Sequence, residues 1–113
     1  MDMKIEIATQ DRQLGFDLMG TPDFLGSGTK VEIPGKAILT FDGLSGKKSF
    51  GFPQTLEFLL TFTTGVSTGI VANWLYDKIK DRASKIRIDR TEVEISKGEI
   101  ERIIFEKIER SDE

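Results

Sequence analysis

Polar and apolar side chains alternate from the start of the chain, with Met3, Ile5 and Ile7 on one side and Lys4 and Glu6 on the other. A period of two is the spacing of a half-buried strand, so residues 3–8 are predicted to form one. Gly15, Gly20, Gly26, Gly28 and Pro22 interrupt residues 10–28 and leave room for a short helix over 11–19, carrying Leu14, Leu18 and Met19. Val31 and Ile33 then alternate with Lys30 and Glu32. Pro34-Gly35 supplies a turn in which Pro fixes φ and Gly accepts a positive one. The return strand puts Leu39 and Phe41 on one face and Ile38 and Thr40 on the other, so residues 29–42 read as a hairpin. Asp42-Gly43 and Ser45-Gly46 mark a second turn region, and 48–52, around Phe50 and Phe52, a further short strand.

A second hairpin is predicted over 85–95, turning at Asp89-Arg90. That register sets Ile86 opposite Val93. It also sets Arg87 opposite Glu92 and Lys85 opposite Glu94, two opposite-charge pairs on the wet face. Ser96-Lys97-Gly98-Glu99 has the spacing of a capping box. A helix over 97–109 then places Ile100, Ile103, Ile104 and Ile108 on one stripe, with Phe105 off its centre.

Between these hairpins lies an uncharged run of 19 residues, Phe58 to Tyr76. With Pro53 suited to a first helical position, the run predicts one helix over 54–82. Such a helix would be about 45 Å long, more than the roughly 35 Å diameter of a domain this size. It must therefore break near Thr63-Thr64-Gly65, where β-branched residues and Gly are poor helix formers, or project onto another chain. Leu59, Phe62, Val66, Ile70 and Trp74 would form its large apolar stripe. Thr61, Gly65, Thr68, Gly69 and Ala72 would form a groove of small residues, and Gly65 to Gly69 has the GxxxG spacing that lets two backbones approach. Length alone would also suit a bilayer span over 58–76, with Trp74 and Tyr76 near one interface. The six Thr, Ser and Asn side chains within it make insertion marginal and favour a fully buried core helix of a soluble domain.

Composition removes whole classes of chemistry. With 113 residues the chain suits a single α+β domain over 1–113, and needs no staple to fold. There is no Cys and no His, hence no disulfide, thiolate metal site, imidazole ligand or His-activated nucleophile. The net charge is −3 with a pI of about 5.1, which argues against general nucleic-acid binding. Basic residues concentrate in 77–91, at Lys78, Lys80, Arg82, Lys85, Arg87 and Arg90, and read as a solvated helix end and strand surface. Gly26-Ser27-Gly28-Thr29-Lys30 precedes a strand and lacks the helix start that would hold a phosphate. Asp42-Gly43 lacks the later ligands of a calcium loop. No Ser sits in a nucleophile elbow, and Glu92 and Glu94 read as solubilising charge. No enzyme, cofactor or metal is expected, and no signal or lipidation pattern is seen, so the expected compartment is the cytoplasm.

The long Gly-containing helix through Trp74-Leu75, the hairpin with Val93-Glu94-Ile95 and the Ser96-capped helix together resemble the effector-associated constant component family of bacterial conflict systems. The resemblance covers residues 54–110. It implies a bacterial, non-catalytic accessory part and carries over no catalytic residue.

The expected fold is α+β: a mixed or antiparallel sheet from 3–8, 29–42, 48–52 and 85–95, packed by one long Gly-containing apolar helix and a C-terminal amphipathic helix. The expected function is a non-enzymatic interaction or adaptor module. It would self-associate or bind a protein partner through Gly65, Thr68, Gly69, Ala72 and Trp74. The alternatives are a membrane-anchored accessory protein spanning through 58–76 and a small acidic inhibitor, such as a phage-encoded one.

Overall fold

In the structure, a computed structural model, residues 2–21, 26–45 and 54–111 are described. In chain order the elements are β1 (Asp2–Thr9), α1 (Leu14–Met19), β2 (Lys30–Ile33), β3 (Ala37–Ser45), β4 (Gln54–Phe62), α2 (Thr68–Ile79), β5 (Ala83–Ile88), β6 (Thr91–Val93) and α3 (Lys97–Ser111). The strands form one sheet in the order β2-β3-β4-β1-β5-β6, and every neighbouring pair is antiparallel. This is an α+β fold.

Alternation decides which side of the sheet is covered. Ile5 lies between Phe58 and Ile88, and Ile7 between Leu56 and Ile86. These residues are buried together with Met3, Ile33, Leu39, Phe41 and Leu60 on the same face. Phe41 and Phe58 meet edge to face, with ring centroids 5.6 Å apart. The helices complete this core with Leu14, Leu18 and Met19 from α1, Val71, Ala72, Leu75 and Ile79 from α2, and Ile100 and Ile104 from α3. The opposite face carries Lys4, Glu6, Glu57, Thr61 and Arg87, where Lys4 bridges Glu57 at 3.1 Å.

The central correction concerns the predicted helix over 54–82. Residues 54–62 are not helical; they form β4, paired on both sides by β3 and β1. Leu56, Phe58 and Leu60 point into the core, while Thr55, Glu57, Leu59 and Thr61 take the other face. Leu59 is what disguises this alternation, and a central strand flanked by two others can keep such a residue half-buried on its outer face. The chain does break over 63–67, but between a strand and a helix. Helix α2 is 12 residues, about 18 Å, within the 43 × 26 × 22 Å extents. The candidate span 58–76 is therefore part strand, part loop and part helix. Among the described residues no helix is long and apolar enough to cross a membrane.

Two smaller corrections follow from backbone geometry. Asp42-Gly43 is no turn: β3 continues to Ser45 through a bulge between Phe41 and Gly43, where Gly43 takes φ 140°. Lys85 does not meet Glu94, because β6 stops at Val93; its ammonium lies 3.2 Å from Glu92. The predicted strand over 48–52 and the role of Pro53 fall outside the described residues. The other elements match their patterns. Ile86 pairs with Val93 and Arg87 with Glu92 across a turn in which Asp89 and Arg90 both take positive φ. Ser96 Oγ accepts the Glu99 N–H at 3.2 Å, while the Glu99 carboxylate turns to Arg102.

Candidate protein interface on the second helix

Helix α2 begins where three segments are pinned together. Ser67 Oγ accepts the Ile70 N–H at 3.4 Å and caps the helix. The Ser67 N–H donates to the Gly35 carbonyl at 2.9 Å. The Thr63 N–H and Oγ1 both donate to the Lys36 carbonyl, at 3.2 and 2.7 Å. The β2–β3 turn is thereby held against the helix start. Gly35 is at φ 96°, and a Cβ built there would lie 2.6 Å from Val71 Cγ2, so only glycine fits.

The phase of α2 sorts the predicted interface residues. Ala72 is buried in the chain's own core. A Cβ on Gly69 would come 3.2 Å from Glu101 Oε1, so the small-residue side of α2 lies against α3. Thr68 is the first residue of the helix and half-buried. Gly65 is not helical: it lies in the preceding loop at φ 85°, beside Lys36 Nζ. The GxxxG spacing therefore does not form one groove, because its two glycines sit on different elements. Trp74 is half-buried and lies on the side of the helix away from Gly69. Lys78 Nζ stands 5.9 Å from its ring centroid, a cation–π contact.

One turn before Trp74, Ile70 is 52% exposed. The sequence placed both on one apolar stripe, but not that this stripe would face out. The signal was present in phase: once Val71, Leu75 and Ile79 are taken as the core line, Ile70 lies on the far side. Tyr76 closes the α3 side, with Lys97 and Lys80 ammoniums 5.6 and 5.9 Å from its ring.

The basic stretch 77–91 does not form one patch. Arg82 binds Asp11 through Nε at 2.6 Å and Asp17 through a terminal nitrogen at 2.7 Å. Its hydrogen bond and the Gln13 N–H hold the Asp11 carboxyl below its ordinary value. Lys80 lies 3.9 Å from Asp77, and Lys85 pairs with Glu92. Thr9 Oγ1 donates to the Arg82 carbonyl at 2.6 Å and accepts the Asp11 N–H at 2.9 Å, so this cluster ties the end of β1 to the start of β5. Among the described residues no group of three or more carboxylates is placed to hold a metal ion.

Comparison with known proteins finds no matching family model, no similar curated protein and no similar solved structure.

Proposed function

We propose that this chain is a non-enzymatic interaction module that contacts a protein partner through the outer side of α2. The observation that carries the reading is the Ile70–Trp74 pair: one apolar side chain half in solvent, followed one turn later by an aromatic ring braced by Lys78. Large apolar side chains kept together at a surface favour protein contact, and Trp is enriched among residues that dominate interface energies. The helix beneath is held by buried Val71, Leu75 and Ile79, so the pair is presented on a rigid support. Rigid presentation lowers the ordering cost of binding.

Site-specific photo-crosslinking tests this. A benzoylphenylalanine is placed at position 70 and, as a control, at exposed position 109 in cells that express the chain. Position 70 is expected to give a discrete covalent protein adduct that position 109 does not. No adduct from position 70, or the same adducts from both, would overturn the reading.

A further inference from the structure

A surface distinct from α2 carries a second inference. Strand β2 is the edge of the sheet, so one side of its backbone has no strand beside it among the described residues. Which groups face that side follows from the ladder. The Phe41 N–H donates to the Thr29 carbonyl and the Phe41 carbonyl accepts the Gly28 N–H, a bulge at Gly28. Lys30 pairs with Thr40, so the next hydrogen-bonded pair toward the turn is Val31–Leu39. Such pairs alternate along an antiparallel ladder. Val31 and Ile33 therefore bond to β3, and the N–H and C=O groups of Lys30 and Glu32 point away from it. Both residues are exposed, and neither makes an ion pair among the described residues.

We propose that β2 pairs with β2 of a second copy of this chain, antiparallel about a two-fold axis at Val31. That axis sets Lys30 opposite Glu32 of the second copy, and Glu32 opposite the second copy's Lys30. Both are outward-facing pairs, so each exchanges two N–H···O bonds. Both also oppose unlike charges, which stabilises cross-strand pairs. Lysine on an edge ordinarily discourages pairing, and here Glu32 two residues on removes that obstacle. Pro34, with no N–H, ends the ladder and keeps it short. The other edge, β6, has no such match: a two-fold at its centre would set Glu92 against Glu92 of the second copy.

The chain has no cysteine, so V31C introduces a single thiol. Across the axis the two Cα atoms would be about 4.5 Å apart, within the range of a disulfide. Mild oxidation of V31C is expected to give a covalent dimer, and K30C alone is not. In light scattering, K30E and E32K each oppose like charges and are expected to weaken the dimer about tenfold, while the double variant K30E/E32K recovers wild-type association. Circular dichroism checks that each variant folds. A V31C chain that stays monomeric under oxidation, or charge reversals that leave association unchanged, would overturn the proposal. Either result would leave the α2 reading standing, because position 70 is probed separately.

Discussion

Gly35→Ala is the sharpest test of how α2 is seated. The added Cβ would lie 2.6 Å from Val71 Cγ2, 2.9 Å from the Ser67 carbonyl and 3.0 Å from the Val71 nitrogen. Two of these atoms are backbone at a capped helix start, so they cannot step aside as a flexible side chain would. Overpacking of this kind costs about 1–3 kcal/mol. A non-glycine residue at φ 96° adds about 1–2 kcal/mol of backbone strain. The expected loss is about 3 kcal/mol, a large share of the roughly 5–15 kcal/mol that holds a typical domain. At about 4 °C per kcal/mol for a chain this size, the midpoint should fall by about 12 °C. Thermal and urea unfolding followed by circular dichroism would measure it. Gly20→Ala is the control: its φ is 69°, but nothing lies within 4 Å of the added Cβ. It should lose only the strain, about 1–2 kcal/mol. If Gly35→Ala costs no more than Gly20→Ala, the turn is not clamped to α2 as described.

Two further outcomes follow from the ion-pair cluster and the second hairpin turn. Arg82 depresses the Asp11 carboxyl in the folded state, so this pair stabilises above the ordinary aspartate value, near 4, and the contribution fades as pH falls through the lower folded value. Arg82→Gln should therefore lower stability at pH 7 and flatten the acid limb of the unfolding midpoint against pH; an unchanged acid limb would refute the assignment. Arg90 sits at φ 70° in a two-residue turn whose other member, Asp89, is held by the Lys4 N–H at 2.8 Å. Arg90→Gly should relieve the strain and raise stability by about 0.5 kcal/mol, and a lowered midpoint would count against the turn geometry.

Elements whose alternation is uninterrupted were legible from the residues alone. β1 reads plainly because Lys4 and Glu6 separate Met3, Ile5 and Ile7, and the 85–95 hairpin because charge and register agree. α3 reads from its isoleucine stripe and Ser96. The residues of β4 read as helix for a physical reason. Leu59 fills the one position where a polar residue would have revealed a strand, and Thr61 to Tyr76 then extends the uncharged run without a charge to mark the change of period. Glu57 was the available signal, since it is a polar residue between Leu56 and Phe58 and pairs with Lys4 across the outer face. The small-residue groove depends on the same helical reading. A groove of Gly65, Thr68, Gly69 and Ala72 requires one helix through all four, and the strand-to-helix break removes Gly65 from it. Ile70 falls on the apolar stripe in the sequence, but its exposure depends on where α2 begins, which the Ser67 cap and the Gly35 contact set.

The most direct test of the central claim, that the chain acts by contact with protein rather than within a bilayer, is size-exclusion chromatography with light scattering in the absence of detergent. The account predicts a monodisperse species that moves from the 12.7 kDa chain mass toward twice that mass as concentration rises. Polydisperse aggregates that only detergent resolves would contradict it.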